Sequence, residues 1–80
     1  MARSNKVLRS IETEDGGRCV DIFRRLDGTF GFEEYRRDVE DGRGWFPIGH
    51  HSQDIHVNQD ATLAVALLKI AWLAHALGYD

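Results

Sequence analysis

Residues 60–78 read DATLAVALLKIAWLAHALG and form the most apolar stretch of the chain. Seventeen residues lie between Asp60 and Gly78, and fourteen of them are apolar, mostly the strong helix formers Ala and Leu. Either Asn58 or Asp60 can cap a helix N-terminus, and Asp60 also suits the positive end of the helix dipole. Gly78 is the residue type expected just past a helix end. The stretch therefore predicts one helix from Asp60 to Gly78.

At 100° per residue, the apolar side chains of this helix fall into two groups. Thr62 and Lys69 lie together and predict a narrow polar line between the groups. On one side of that line Val65, Leu68 and Trp72 form a row, here called the helix stripe. The broad face on the other side is expected to cover a sheet. Its members are Leu63, Leu67, Ile70, Leu73, Ala74 and Leu77.

The helix stripe predicts a partner, because one small sheet cannot easily cover both groups. An exposed apolar patch usually marks an interface, and a two-fold axis would bury the same stripe on both subunits. We therefore expect a homodimer joined mainly through Val65, Leu68 and Trp72. The alternative is that the first strand, or the polar connector at residues 50–59, folds over the stripe within one chain.

The length and charge of the chain restrict its class. Eighty residues make one domain, residues 1–80, of which residues 1–5 are expected to be disordered. Domains this short are often stabilised by disulfides, metals or oligomerisation, and the single cysteine, Cys19, excludes an internal disulfide. The net charge of −3, from 10 basic and 13 acidic residues, is not the broad basic field of a typical nucleic-acid binder.

The sequence favours a soluble, cytoplasmic protein that does not contact a membrane. The N-terminal segment, MARSNKVLRS, lacks the apolar run of a secretory signal. The predicted helix is short for a membrane span and carries Lys69 at its middle. A lone thiol fits a reducing compartment.

Three turn signals divide residues 6–49 into strands. They are EDGG at 14–17, LDGT at 26–29 and EDGRG at 40–44. Pro47 cannot donate to a ladder, so the last strand is expected at a sheet edge. We expect an α+β domain, an antiparallel three- to four-stranded meander sheet packed on one C-terminal helix. The expected strands are residues 6–13, 18–25, 30–37 and 45–49.

The register of the central hairpin has two solutions. Asp-Gly at positions 27–28 tolerates the positive φ angles of a tight turn. A two-residue loop would set Phe23 opposite Phe32 and place both on one face. A bulged three-residue loop would instead send Phe30 and Phe32 to the side of Ile22. Both solutions predict a core that contains Phe30 and Phe32.

The side chains that could bind a metal or take part in catalysis are expected to have structural roles instead. His50, His51 and His56 cluster with Asp54, but neighbouring histidines point apart in an extended chain and no metal-ligand spacing is present. Cys19 sits on a predicted strand without an assignable base, so a buried apolar role is expected. The acid pairs at 33–34 and 40–41 are expected on a solvated sheet surface and in a turn. No catalytic residue, cofactor or metal is therefore expected.

Arginine pairs on neighbouring strands raise the alternative of a nucleic-acid-binding sheet, since some DNA-binding domains enter a groove with strands. Between residues 18 and 43, however, seven acids interleave with six arginines, so cross-strand ion pairing is favoured. The candidate contacts of this alternative are Arg24, Arg25, Arg36, Arg37 and Arg43.

The segment VDIFRRLDGTFGFEEYRR, residues 20–37, precedes another turn, a short strand and an Ala-rich helix. This order resembles small uncharacterised bacterial β-β-β-α domains, which carry an apolar strand, a Gly hairpin and a Phe-x-Phe return strand. Ile22, Gly28, Phe30 and Phe32 match that pattern, and the resemblance covers roughly residues 18–77. It implies a fold and no activity.

We therefore expect a non-enzymatic protein-interaction module that self-associates through its helix. The alternative is a nucleic-acid-binding module that uses the arginine-bearing sheet. An enzyme ranks third, because the sequence shows no nucleophile–base pair, phosphate loop or strong metal motif.

Overall fold

The computed structural model describes residues 5–38, 40, 42 and 44–79. Its strands form one antiparallel sheet in chain order, and a helical segment follows, which is the α+β meander expected from the sequence. No helix in the described ranges is long and apolar enough to cross a membrane. Residues 1–4 of the segment expected to be disordered lie outside the described residues. The elements are β1 Lys6–Glu12, β2 Arg18–Arg24, β3 Phe30–Arg36, β4 Phe46–Pro47, α1 Gln59–Lys69 and α2 Leu73–Ala76.

The sequence predicts one continuous helix from Asp60 to Gly78, and this prediction is wrong. The structure has two helices, α1 and α2, and the break between them begins at Ile70. Ile70 has an extended backbone (φ −114°, ψ 105°), although its N–H still donates to the Ala66 carbonyl. A straight helix of nineteen residues would span about 28 Å, longer than the roughly 23 Å of a seven-residue strand. The break redirects the chain, so that α1 packs on β2 and β3 while α2 packs on β1. It also keeps Ile70 and Leu73 buried.

Helix α1 begins with a capped first turn. Asn58 is the N-cap, and its Oδ1 accepts from the Ala61 N–H at 2.7 Å. Thr62 was expected on a polar line but is completely buried, because α1 turns that side toward the sheet. Its hydroxyl donates to the Asn58 carbonyl at 2.7 Å, which satisfies the buried oxygen within the helix.

The core lies between the helices and one face of the sheet. Partly buried apolar residues surround it, and two of them, Val65 and Trp72, belong to the predicted helix stripe. Packing within the chain therefore covers part of that stripe. The core residues are Ile11, Val20, Ile22, Phe32, Ala66, Ile70 and Leu73.

The central hairpin adopts the bulged three-residue loop. The Arg25 N–H donates to the Thr29 carbonyl, the Gly28 N–H donates to the Arg25 carbonyl, and Gly28 has φ 88°. This loop sets Phe32 opposite Ile22, so both side chains face the helices. Phe32 is fully buried in the core, as both solutions predict, whereas Phe30 is only partly buried and does not belong to the core.

The connector after β4 continues along the free edge of β3. Among the described strands β4 pairs only with β3, as expected of a strand containing Pro47. The Phe30 and His56 backbones then exchange two hydrogen bonds of 2.9 Å. The Arg25 guanidinium donates to the Phe30 and Asp54 carbonyls, both at 3.0 Å, and so fastens the connector to the hairpin.

Candidate binding groove on the open face of the sheet

The face of the sheet that the helices leave open, here called the outer face, carries polar and aromatic side chains. Cross-strand pairing sets Ser10 opposite Asp21, Glu12 opposite Cys19, and Cys19 opposite Tyr35. Residues paired in this way point to the same side of a sheet. Three strands therefore bring these five side chains together on the outer face.

These five side chains and Trp45 line a cavity of about 210 Å³, here called the sheet groove. Trp45 comes from the segment before β4 and is 38 % exposed. The Arg37 guanidinium carbon lies 4.6 Å from the centroid of its ring, and Arg37 Nε donates to the Gly16 carbonyl at 3.0 Å. Because Arg37 does not line the groove, it holds the Trp45 ring from outside.

Asp21 is the centre of the polar network in the sheet groove. Its Oδ1 accepts from the Ser10 hydroxyl at 2.6 Å and from the Cys19 thiol at 3.3 Å. Its other carboxylate oxygen has no hydrogen bond to any residue that the structure describes. Asp21 therefore keeps one acceptor for a ligand.

The two groups with perturbed pKa values in the groove are uncharged at neutral pH. Burial raises the pKa of the Cys19 thiol to about 12, and the hydrogen bond and negative charge of Asp21 add to this effect. Burial, followed by the charges of Asp21 and Glu33, also raises the pKa of Tyr35. The lining holds two carboxylates, Glu12 and Asp21, and no basic side chain among the described residues. The groove is therefore acidic and bordered by two aromatic rings.

The sequence predicts that the acid pair at 33–34 lies on a solvated sheet surface, and this prediction is wrong. Both carboxylates instead accept hydrogen bonds that join β3 to other parts of the chain. Glu33 is 3 % exposed, and its Oε1 accepts from the Glu34 and His51 N–H groups at 2.9 and 3.2 Å. Glu34 accepts from the Trp72 indole N–H at 2.8 Å and pairs with Arg18 at 3.5 Å. The surroundings of both carboxylates come from distant parts of the chain, which a local sequence pattern does not reveal.

The predicted helix stripe is divided in the structure. Val65 and Trp72 pack against the core from its margin, whereas Leu68 is 86 % exposed. Ala64, one turn before Leu68 in α1, is also exposed, and so is Ala71 after the break at Ile70. The structure therefore does not place Val65, Leu68 and Trp72 on one exposed surface.

The candidate nucleic-acid contacts lie at two ends of the sheet. Arg24 pairs with Phe30 at one end of β2, and Arg36 pairs with Arg18 at the other, about 20 Å away at 3.3 Å per residue. The guanidinium groups of Arg25 and Arg37 donate to backbone carbonyls. The remaining candidate, Arg43, lies outside the described residues. The described arginines do not form one continuous basic patch.

Two of the connector histidines pack beside Phe32. The His51 ring stacks on the Phe32 ring with centroids 4.8 Å apart, and the His56 ring lies tilted at 5.9 Å. Asp54, between them in sequence, pairs with Lys69 at 3.1 Å. Within the part of the chain that the structure covers, no three His, Cys, Asp or Glu side chains are grouped so as to hold a metal ion.

Comparison with known proteins identifies no relative: no family model matches the chain, and no curated protein and no solved structure is significantly similar to it.

Proposed function

We propose that the protein is a non-enzymatic protein-interaction module whose sheet groove binds a basic side chain of a partner protein. The observation that supports this proposal is the composition of the groove. Two carboxylates and two aromatic rings face one cavity, and no described lining residue supplies a positive charge to neutralise them. Such a site attracts a cation by charge and by the negative faces of the rings.

The size of the groove favours one side chain over a larger ligand. Pockets for drug-sized molecules usually measure about 300–1,000 Å³, whereas the groove holds about 210 Å³. A guanidinium group can donate to the free oxygen of Asp21 while it lies against Trp45 or Tyr35. Arg37 already makes such a ring contact away from the groove, with its guanidinium carbon 4.6 Å from the centroid of the Trp45 ring. We therefore favour arginine over lysine as the bound side chain.

The chemistry of the groove favours binding over catalysis. A thiol with a pKa of about 12 is protonated at neutral pH and is a poor nucleophile. Its hydrogen-bond partner is the carboxylate of Asp21, which favours the protonated thiol. A buried reduced thiol also suits the cytoplasmic location that we propose.

The proposal is tested by titrating the isotope-labelled chain with an acetylated GRGRG peptide amide. The same peptide with glutamine in place of arginine is the ligand control. We expect the Trp45 indole N–H resonance to shift with arginine peptide, while that of Trp72, which contacts Glu34 on the other side of the sheet, stays in place. Asp21→Asn keeps the shape of the carboxylate and should weaken binding about tenfold.

Glu14→Gln is the matched control, because Glu14 is exposed and does not line the groove. The proposal is wrong if both peptides shift both indoles equally. It is also wrong if Glu14→Gln weakens binding as much as Asp21→Asn.

A second candidate function is self-association through α1. Leu68 is 86 % exposed, and Ala64, one turn before it in α1, is exposed on the same side. Small residues beside a large apolar one allow two helices to approach closely across a two-fold axis. We therefore retain a homodimer as a candidate and place its centre at Leu68. The nucleic-acid alternative has less support, since its arginines lie at opposite ends of β2 and β3.

A further inference from the structure

A second cavity lies at the end of the sheet where the β1–β2 turn approaches Trp72. It measures about 430 Å³ and is here called the turn cavity. Three arginines contribute to its lining, against one carboxylate. The lining residues are Thr13, Asp15, Gly17, Arg18, Arg36, Arg37 and Trp72.

Two of these arginines form an unfavourable cross-strand pair. Arg18 on β2 lies directly opposite Arg36 on β3. Like charges directly opposite each other destabilise a sheet unless something neutralises them. Glu34 neutralises only Arg18, at 3.5 Å, and its carboxylate also accepts from the Trp72 indole. The Arg36 side chain is exposed, and its guanidinium forms no hydrogen bond or ion pair with any described residue.

The carboxylate of the turn cavity is committed to the backbone turn. Asp15 Oδ1 accepts from the Thr13 hydroxyl at 2.7 Å and from the Gly17 N–H at 2.9 Å. The hydrogen bond from Thr13 lowers the pKa of Asp15 most. The hydrogen bond from Gly17 and the charge of Arg18 lower it further. Asp15 is therefore ionised at neutral pH and fixes the turn, and no carboxylate among the described residues pairs with Arg36.

We propose that the turn cavity binds the phosphate group of a small phosphorylated molecule. Arg36 is the principal ligand and Arg18 the second, so that the phosphate supplies the negative charge that no described residue supplies to Arg36. Guanidinium groups match phosphate oxygens geometrically and donate two hydrogen bonds each. The Trp72 ring lines the same cavity and offers an apolar surface to the organic part of the ligand. A volume of about 430 Å³ suits a small molecule.

The turn cavity and the sheet groove share no lining residue, and Arg37 of the turn cavity contacts the sheet groove through the ring of Trp45. The test is a titration of the full chain with phenyl phosphate, followed through the Trp72 indole N–H resonance. We expect saturable binding, weaker binding of inorganic phosphate, and no binding of benzoate at the same concentration. Arg36→Gln should weaken phenyl phosphate binding about tenfold, the loss of one charge-assisted contact.

Arg24→Gln is the matched control, since Arg24 is also an exposed arginine at a strand end but lies at the far end of β2. Unchanged affinity in this variant supports the site, and an equal loss in both variants overturns it. The proposal also fails if phenyl phosphate gives no saturable shift up to about 10 mM. Equal affinity for benzoate would exclude a phosphate site. Tighter binding of a short DNA duplex that depends equally on Arg24 and Arg36 would replace the proposal with a nucleic-acid surface.

Discussion

The indole N–H of Trp72 donates to a carboxylate oxygen of Glu34 across 2.8 Å, and this bond joins the start of α2 to β3. The two residues are 38 positions apart in sequence. Glu34 also pairs with Arg18 on β2, so the contact connects the helical segment to two strands. The aromatic residue expected in a dimer interface thus has a specific partner within its own chain.

Trp72→Phe should destabilise the fold by about 1–3 kcal/mol, because it keeps an aromatic ring and removes the donor to a partly buried carboxylate. Urea unfolding followed by circular dichroism measures this change. Glu34→Gln should cost less when added to Trp72→Phe than when made alone, since the two residues share one interaction. Strict additivity of the two substitutions would show that the hydrogen bond contributes nothing to stability.

The sheet was predictable from local signals, whereas the path of the helical segment was not. Turn sequences such as Glu14–Gly17 and the Asp27–Gly28 pair act within a few residues, so they locate strands directly. The extended backbone at Ile70 has no comparable signal. It lies in a continuous run of helix-forming residues, and packing of Ile70 and Leu73 on the sheet overrides that local preference.

The sheet groove could not be predicted because it depends on pairing between strands. Ser10 and Asp21 meet only in the register of β1 and β2, and the bulge near Val7 shifts that register. Trp45 reaches the same site from a loop after β3. Composition showed that acids and aromatics were abundant but not which of them share a face.

Cys19 should resist alkylation even at pH values at which an ordinary thiol has ionised. The thiolate is the reactive form, and a pKa of about 12 keeps the native thiol protonated where an ordinary cysteine, near 9.0, has ionised. With iodoacetamide at pH 9, we expect the native chain to react more than about a hundredfold slower than the urea-unfolded chain. Mass spectrometry over time gives both rates.

The same pKa shift predicts the sign of a stability change. The folded state binds the Cys19 proton more tightly than the unfolded state does. The contribution of this proton to the free energy of unfolding is therefore complete below pH 9.0 and is lost as the pH rises toward 12.

Asp21→Asn should accelerate alkylation, because the Asp21 hydrogen bond and charge both raise the thiol pKa. A native rate that levels off near pH 9 would contradict the shift.

The proposed dimer contact is at Leu68, and the variants Leu68→Glu and Trp72→Glu should separate self-association from folding. Leu68 is 86 % exposed, so a carboxylate there leaves the monomer intact and charges only the outer side of α1. Trp72 packs against the core and donates to Glu34, so a carboxylate at 72 places two acids together at a partly buried site. If the wild type is a dimer at tens of micromolar, sedimentation should show Leu68→Glu as a folded monomer, whereas Trp72→Glu should unfold at lower urea concentration. Gln59→Glu, exposed in the first turn of α1 on the face opposite Leu68, adds the same single negative charge and serves as the control. A wild type that remains monomeric at this concentration, or a dimer that survives Leu68→Glu, would exclude this face as the interface.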